Sequence, residues 1–192
     1  MPRPKNSEFK LKGVNHLALV CKDMARTVAF YRDVLGMPLI KTIELPRGMG
    51  QHFFFDLGNG DSLAFFWFPN APDAQPGVAS AKQGPLPGIS AHGSMNHIAI
   101  NVPAEKLDEY YRKLKAKGIE CSRVINHDDS PAQASLEQTP TTFVRSIYFY
   151  DPDGIALEFA AWTRELPREG DVRHEPAHAS DAAHYRELVP AK

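Results

Sequence analysis

Two short stretches of the chain share one pattern of apolar and polar residues. They are residues 14–19 and 95–100, and each contains one histidine, His16 in the first and His97 in the second. Both have the alternation and the composition of a β-strand. Each is followed by apolar residues at helical spacing and then by further strand-like segments. A repeat offset of 81 residues, from position 16 to position 97, predicts the duplication of a small α+β module.

In the first half, the pattern predicts one helix among four strands. The strands are expected at 13–21, 39–45, 51–57 and 62–68. Asp23 is suited to begin a helix over 24–35, and Gly36 to end it. The sequence Gly58-Asn59-Gly60-Asp61 predicts a tight hairpin between the last two strands.

The second half repeats this order after a stretch rich in Pro, Gly, Ala and Ser. Strands are expected at 95–102, 119–126, 142–150 and 155–162, and a helix from Pro103 to about Lys117. Asp151-Pro152-Asp153-Gly154 predicts a turn. If Gly60 is aligned with Gly154, the second half contains 13 extra residues, which we assign to the region 127–140.

The predicted fold is α+β, with two tandem β-α-β-β-β modules that form a curved, partly open mixed sheet. The predicted divisions are a polar leader at 1–12, a first module at 13–68, a linker at 69–94, a second module at 95–162 and a polar C-terminal tail at 163–192.

Composition narrows the classes of function. The net charge of −1 gives no reason to expect nucleic acid or an anionic membrane surface as a partner. The chain lacks an apolar run of membrane-spanning length, and its first residues lack the apolar core of a secretory signal. Cys21 and Cys121 match neither a zinc spacing nor a disulfide framework. These features favour a cytoplasmic protein with two reduced thiols.

Strand alternation predicts that three metal-ligating side chains share one interior. His16 and His97 occupy the small-residue faces of the first strands, and Glu158 occupies the small-residue face of the last strand. Two imidazoles and one carboxylate form the set typical of non-haem Fe(II) oxygenases. Hydrogen-bonded core histidines, and an ion pair of Glu158 with Arg145 or Arg47, are the alternatives.

Five motifs recur in a known arrangement over residues 13–162. They are Asn15-His16-Leu17-Ala18, Phe30-Tyr31-Arg32-Asp33-Val34-Leu35-Gly36-Met37, Asn96-His97-Ile98-Ala99, Asp151-Pro152-Asp153-Gly154 and Leu157-Glu158-Phe159. Together they resemble the vicinal oxygen chelate superfamily, which includes glyoxalase I, bleomycin- and fosfomycin-resistance proteins and extradiol dioxygenases.

The resemblance implies that the curved, partly open mixed sheet surrounds a metal site, with the metal held by His16, His97 and Glu158. Glyoxalase-like members add a fourth ligand from the first module, but the internal alignment puts Ala64 at that position. This departure favours a three-ligand site and an extradiol-type dioxygenase that acts on a catechol or another vicinal dioxygen compound. Fe(II) is the favoured metal and Mn(II) an alternative, whereas Zn(II) and Ni(II) are less favoured. Many members of the superfamily pair, so a homodimer is possible.

The residues around Glu158 fit the extradiol motif only in part. Tyr148 matches the family tyrosine, which implies a hydrogen bond to the bound oxygens, but Thr-Pro-Thr occupies 139–141, where the family has a histidine. His127, further upstream, is the candidate proton shuttle. Packing within the strand is the alternative for Tyr148, and a solvated loop position is the alternative for His127. Phe54, Ala64 and Phe66 are expected to line the substrate pocket.

Two other functions remain open. One is a glyoxalase-like lyase or isomerase, or a thiol transferase, and the other is a non-catalytic ligand-binding protein of the bleomycin-resistance type.

Among the remaining histidines, His52 is expected to pack in the first module, and its second interpretation is a spare metal ligand or a base. His174, His178 and His184 are expected on the solvated surface.

Overall fold

The computed structural model describes residues 6–78, 84 and 86–183. The part of the linker at 79–83, the end of the tail and His184 lie outside the described residues. The main elements, in chain order, are β1 (His16–Val20), α1 (Met24–Val28), β2 (Leu39–Leu45), β3 (Gly50–Gly58), β4 (Asp61–Trp67), β5 (Ile98–Asn101), α2 (Leu107–Ala116), β6 (Ile125–His127), β7 (Ala134–Ser135), β8 (Val144–Tyr150) and β9 (Ala156–Trp162).

The strands form two mixed sheets, one for each half of the chain. The first has the order β1-β4-β3-β2 and the second has the order β5-β9-β8-β6-β7. β1 is parallel to β4 and β5 is parallel to β9, while the other pairings are antiparallel. The predicted α+β class is therefore confirmed, and β1 and β5 occupy corresponding edges of the two sheets.

Strand register supports the internal alignment of the two halves. Ala18 lies opposite Ala64, and the equivalent Ala99 lies opposite Glu158. In the neighbouring antiparallel pairs, Phe54 lies opposite Ala64 and Tyr148 lies opposite Glu158. Ala64 therefore occupies the position in the first sheet that Glu158 occupies in the second.

One face of each sheet packs against a helix and forms the core. In the first sheet, the face that packs against the helix contains Phe55, Leu63 and Phe65, which lie in the same core cluster as residues of the first helix. In the second sheet, the corresponding face contains Ile147, Phe149 and Leu157, which lie in the core with Leu107 and Leu114 of α2. The alternate positions, which include Glu158 and Tyr148, belong to the opposite face, which we call the site face.

The first helix begins and ends where the sequence predicts, but its hydrogen bonding changes along its length. The Asp23 side chain accepts a hydrogen bond from the Arg26 amide at its start. After Val28 the helix continues as a π-helical stretch over Ala29–Val34, and the Leu35 amide donates to the Phe30 carbonyl. Gly36 follows with φ of 79°, a left-handed conformation that glycine adopts without strain.

The strand predicted at 119–126 is wrong over most of its length. Only Ile125–His127 forms a strand, preceded by a single bridge between Cys121 and Phe149. The chain then folds around the buried carboxylate of Asp128, which accepts hydrogen bonds from the Ser130 amide and the Ser135 hydroxyl. These local bonds compete with the extension of the sheet, and they organise the predicted insertion, which includes β7.

The two modules meet through the first helix and the 151–154 turn. The buried Tyr31 hydroxyl donates to Asp151 at 3.1 Å. The Lys22 amide donates to Asp153 at 2.9 Å, and Lys117 Nζ donates to the Val34 carbonyl. These bonds join the side of the first module that contains α1 to the second module.

The start of the tail packs against the second module. The Arg164 guanidinium makes two hydrogen bonds to Asp171, lies 3.9 Å from an Asp129 oxygen and lies over the Phe143 ring.

In the part of the chain that the structure describes, no helix has both the length and the apolar character needed to cross a bilayer.

Candidate metal and catalytic site

His97 and Glu158 form the centre of the site in the second module. His97 Nε2 lies 2.9 Å from Glu158 Oε2. The Glu158 residue is 5% exposed, and its other oxygen accepts a hydrogen bond from the Ser146 hydroxyl. Neither alternative arginine pairs with Glu158 in the described contacts, and Arg145 instead contacts Asp108 and Asn126. The buried carboxylate thus faces an imidazole nitrogen.

The Asn96 side chain determines which nitrogen of His97 carries a proton. Its amide group donates to the Gly88 carbonyl and to Ser90 Oγ, so its oxygen is the atom that accepts from His97 Nδ1, at 2.7 Å. The other ring nitrogen, Nε2, is left to face Glu158. Two acceptor atoms 2.9 Å apart need a proton or a cation between them, so the pair has the chemistry of a metal-ligand set.

Polar contacts keep Glu158 ionised despite its burial. Burial by itself raises its pKa, but the contact with His97, the hydrogen bond from Ser146 and the nearby charges outweigh that effect. The pKa of Glu158 consequently lies below its usual value. An ionised, buried carboxylate beside an imidazole can hold a divalent cation.

Tyr148 and His127 flank this pair. Tyr148 lies opposite Glu158 on the neighbouring strand, and its ring stands perpendicular to the His97 ring at 5.7 Å. His127 Nε2 lies 3.1 Å from the Tyr148 hydroxyl. The structure therefore brings together the tyrosine and the upstream histidine, which are separated by the 13-residue insertion.

The environment of Tyr148 keeps its hydroxyl protonated. Burial and the negative charge of Glu158 raise its pKa to about 12, while a hydrogen bond with Ser146 acts in the opposite direction. A protonated phenol can donate one hydrogen bond and accept another. Tyr148 can thus connect His127 to an oxygen atom bound near Glu158.

His16 does not join the other two predicted ligands within one chain. It is an exposed residue of β1 in the first sheet, and its Nδ1 lies 2.7 Å from the Asn15 side-chain oxygen. Across residues 6–78 and 86–183, no group of three His, Cys, Asp or Glu side chains is close enough to hold a metal. The convergence of all three ligands inside a single chain, expected from strand alternation, is therefore not observed.

The predicted pocket residues belong to the first module, on the same face as His16. Phe54 lies opposite the buried Ala64, and its ring is 5.6 Å from the ring of His16. Phe66 lies opposite His52, and their rings are stacked at 3.6 Å. His174 and His178 are exposed, as expected.

Three polar residues of the site were not identified from the sequence. Asn15 and Asn96 each hold the following histidine through the same 2.7 Å contact. The repeated Asn-His dipeptide is a signal that could have revealed this role. Ser146 had no comparable signal, because its contact with Glu158 depends on the pairing of β8 with β9.

The family assignment agrees with this arrangement. A model of the Glyoxalase/Bleomycin resistance protein/Dioxygenase superfamily matches residues 13–159. The chain belongs to that superfamily.

The names of individual relatives indicate diverse functions. The uncharacterised protein YwkD of Bacillus subtilis (strain 168) is 26% identical over 77% of this chain and 95% of its own length. The fosfomycin resistance protein FosX of Listeria monocytogenes is 26% identical over 81% of this chain and 93% of its own length. MhqE of B. subtilis (strain 168), a proposed ring-cleaving dioxygenase, is 26% identical over 58% of this chain and 33% of its own length.

Solved structures share the fold. The crystal structure of L. monocytogenes FosX with Mn(II) and a sulfate ion has a TM-score of 0.50 and 24% identity, and the match covers 80% of this chain and 95% of FosX. At this identity, the likeness concerns the fold.

Proposed function

We propose that the protein is a metal-dependent, extradiol-type dioxygenase that acts on a catechol or a similar compound with two adjacent oxygens. The contact of 3.1 Å between His127 Nε2 and the Tyr148 hydroxyl carries the proposal. It supplies an acid-base pair next to His97 and Glu158, within the reach that proton transfer requires. The similarity to part of MhqE supports the same reaction class.

His97, Glu158 and a second histidine, His16, would hold the ion. Fe(II) is the proposed ion and Mn(II) the alternative, because a two-His-one-carboxylate set leaves positions open for substrate oxygens and for O2. Asn96 and Asn15 orient the imidazoles so that each Nε2 is available. When a substrate hydroxyl ionises, Tyr148 would accept its proton and pass its own proton to His127 Nε2. The Tyr148 hydroxyl would then donate to the substrate oxyanion.

His16 would be contributed by a second copy of the chain. β1, which contains His16, and β5, which directly follows His97, each have one neighbour in the described sheets. Val20 of β1 is 48% exposed, and Trp162, at the end of the β9 strand that neighbours β5, is 53% exposed. An unpaired sheet edge is a site for association. In a two-fold dimer, His16 of each chain could complete the His97–Glu158 pair of the other.

Mixing two inactive variants tests the shared site. His16→Ala and Glu158→Ala should each lose metal. When the two variants are refolded together in equal amounts, half of the dimers should contain one chain of each kind, and each such dimer should contain one intact site. The mixture should therefore bind about a quarter of a metal ion per chain. Metal content would be measured on anaerobically purified, tag-free protein. No recovery in mixtures shown to contain heterodimers would reject the shared site.

Oxygen consumption tests the reaction. Anaerobic, Fe(II)-loaded protein should bind a catechol and, on addition of O2, consume one O2 for each ring opened. If metal-loaded protein neither binds nor cleaves any compound in a broad catechol panel, the dioxygenase proposal fails.

The similarity to FosX and to the metallothiol transferase FosB of Staphylococcus haemolyticus supports one alternative, thiol transfer or a related addition to an oxygen-chelating substrate. That chemistry proceeds without O2. Turnover of an epoxide phosphonate under anaerobic conditions, with or without an added thiol, would favour this alternative, and a strict requirement for O2 would exclude it.

A further inference from the structure

His52 is the centre of an aromatic stack on the site face of the first module. Its ring is nearly parallel to that of Phe66, with an interplanar angle of 11° and a centroid distance of 3.6 Å. Phe66 is in turn stacked on Phe68 at 5.3 Å. Phe54 contacts the His52 ring at 4.3 Å and also neighbours His16 at 5.6 Å. His52 is thus separated from a predicted metal ligand by a single aromatic ring.

The Nε2 atom of His52 is an unpaired polar atom in the free chain. It is removed from solvent and has no hydrogen-bond partner among the described residues. A buried polar atom without a partner costs free energy. Phenylalanine would provide the same stacking without this cost. The nitrogen therefore gives no benefit to the free chain, which indicates a partner that arrives with a ligand.

We propose that His52 is a substrate-contacting residue that selects aromatic diols with a polar substituent on the ring. The inference rests on the proposed function. The two adjacent oxygens of the substrate would lie on the His16 side of Phe54, and His52 Nε2 would hydrogen-bond to the substituent at the far side of the ring. The ring of Phe54 lies 5.6 Å from that of His16 and 4.3 Å from that of His52, so the proposed substrate would span a length of about one aromatic ring with its substituents.

The substrate reaches Nε2 by a side-chain movement. Phe54 is half-buried and its ring contacts both imidazoles, so a rotation of this ring is the movement that the proposal requires. Rotamer changes of this kind are common on ligand binding. The stacked Phe66 keeps the His52 ring in place while Phe54 moves.

Two variants separate the nitrogen from the ring. His52→Phe keeps an aromatic ring and removes Nε2, whereas His52→Gln keeps a polar nitrogen near the same position. His92→Phe, at an exposed histidine, is the control for the gain of a phenylalanine. All proteins would be loaded anaerobically with Fe(II). Their affinities would be measured by absorbance with 4-nitrocatechol, which has a polar substituent, and by competition with 4-methylcatechol, which has an apolar one.

His52→Phe should raise Tm by a few degrees, because it removes an unpaired buried nitrogen. It should weaken 4-nitrocatechol binding about tenfold, change 4-methylcatechol binding less than twofold and leave the metal content unchanged. His52→Gln should retain most of the affinity for 4-nitrocatechol, and His92→Phe should match the wild type.

A lower Tm in His52→Phe would mean that Nε2 is bonded in the free protein, and it would overturn the inference. Unchanged selectivity between the two catechols would also overturn it, and loss of metal would show that His52 is a ligand instead. If metal-loaded wild type binds neither catechol, the proposed function fails together with this inference. If wild type binds both and only the selectivity result is negative, the inference about His52 fails alone.

Discussion

The hydroxyl of Tyr31 in the first module donates a hydrogen bond of 3.1 Å to Asp151 in the second. Tyr31 is fully buried and Asp151 is 6% exposed. The other oxygen of Asp151 accepts from the amides of Asp153 and Ile155 in its own turn. One carboxyl group thus shapes the 151–154 turn and also joins the two halves of the duplicated fold.

Tyr31→Phe should therefore destabilise the protein. Removal of the hydroxyl leaves one oxygen of a buried carboxyl without its partner, which should cost about 1–3 kcal/mol of unfolding free energy. Urea denaturation of both proteins gives the comparison. Tyr110→Phe is the matched control, because that half-buried tyrosine packs by its ring against Phe159, and we expect a change within about 0.5 kcal/mol. Equal stability of Tyr31→Phe and wild type would contradict a structural role for the bond.

The same carboxyl group makes a pH-dependent contribution to stability. Burial raises the pKa of Asp151 from 3.8 to about 6, against the opposing hydrogen bonds from Ile155 and Asp153. Between these values the folded state retains a proton that the unfolded state has lost. The contribution of Asp151 to stability is therefore greatest at low pH and falls as pH rises from about 4 to about 6.

Asp151→Asn removes this titration. As pH rises from 4 to 7, the wild type should lose up to about 3 kcal/mol of unfolding free energy relative to the variant. Denaturant unfolding at several pH values measures it. Asp56→Asn, at a partly exposed position of β3, provides the control. A pH-independent difference for Asp151→Asn would refute the raised pKa.

Tyr148→Phe and His127→Gln should slow catalysis while they leave the metal bound. If the pair acts in proton transfer, each substitution should lower kcat about 100-fold or more. The double variant should lose little beyond the larger single effect, because both residues act on one proton path. Metal analysis and anaerobic catechol binding would be run beside the kinetics. Additive losses would indicate that the two residues act separately.

Asn96→Ala should weaken metal binding without removing a ligand. Asn96 holds Nδ1 of His97, and the loss of such an outer partner typically lowers metal affinity 10- to 100-fold. Asn101→Ala, at an exposed position on β5, is the control and should bind metal as wild type does. Competition with a chelator of known affinity gives the measurement. If Asn96→Ala retains wild-type affinity, the orientation of His97 does not depend on this hydrogen bond.

Several parts of the fold follow from local pattern alone. Strand alternation and helical spacing predicted β2 at its observed bounds, Leu39–Leu45, and β3, β4, β8 and β9 within two residues. The failure of the strand predicted over 119–124 could not be foreseen in this way. In that segment the Tyr148 amide donates to the Ser122 side chain, so a side-chain contact replaces a backbone hydrogen bond of the sheet and only an isolated bridge forms at Cys121.

The duplication, the fold class and the side of the sheet on which Glu158 and Tyr148 lie follow from the pattern of residues along the chain, because they depend on periodicities of two and of 3.6 residues. The contact of His127 with Tyr148, the contact of Ser146 with Glu158 and the separation of His16 from both in a single chain emerge only in three dimensions. Such contacts depend on the path of loops and on how two sheets meet. Those features arise from many weak bonds between distant residues, and no local pattern specifies them.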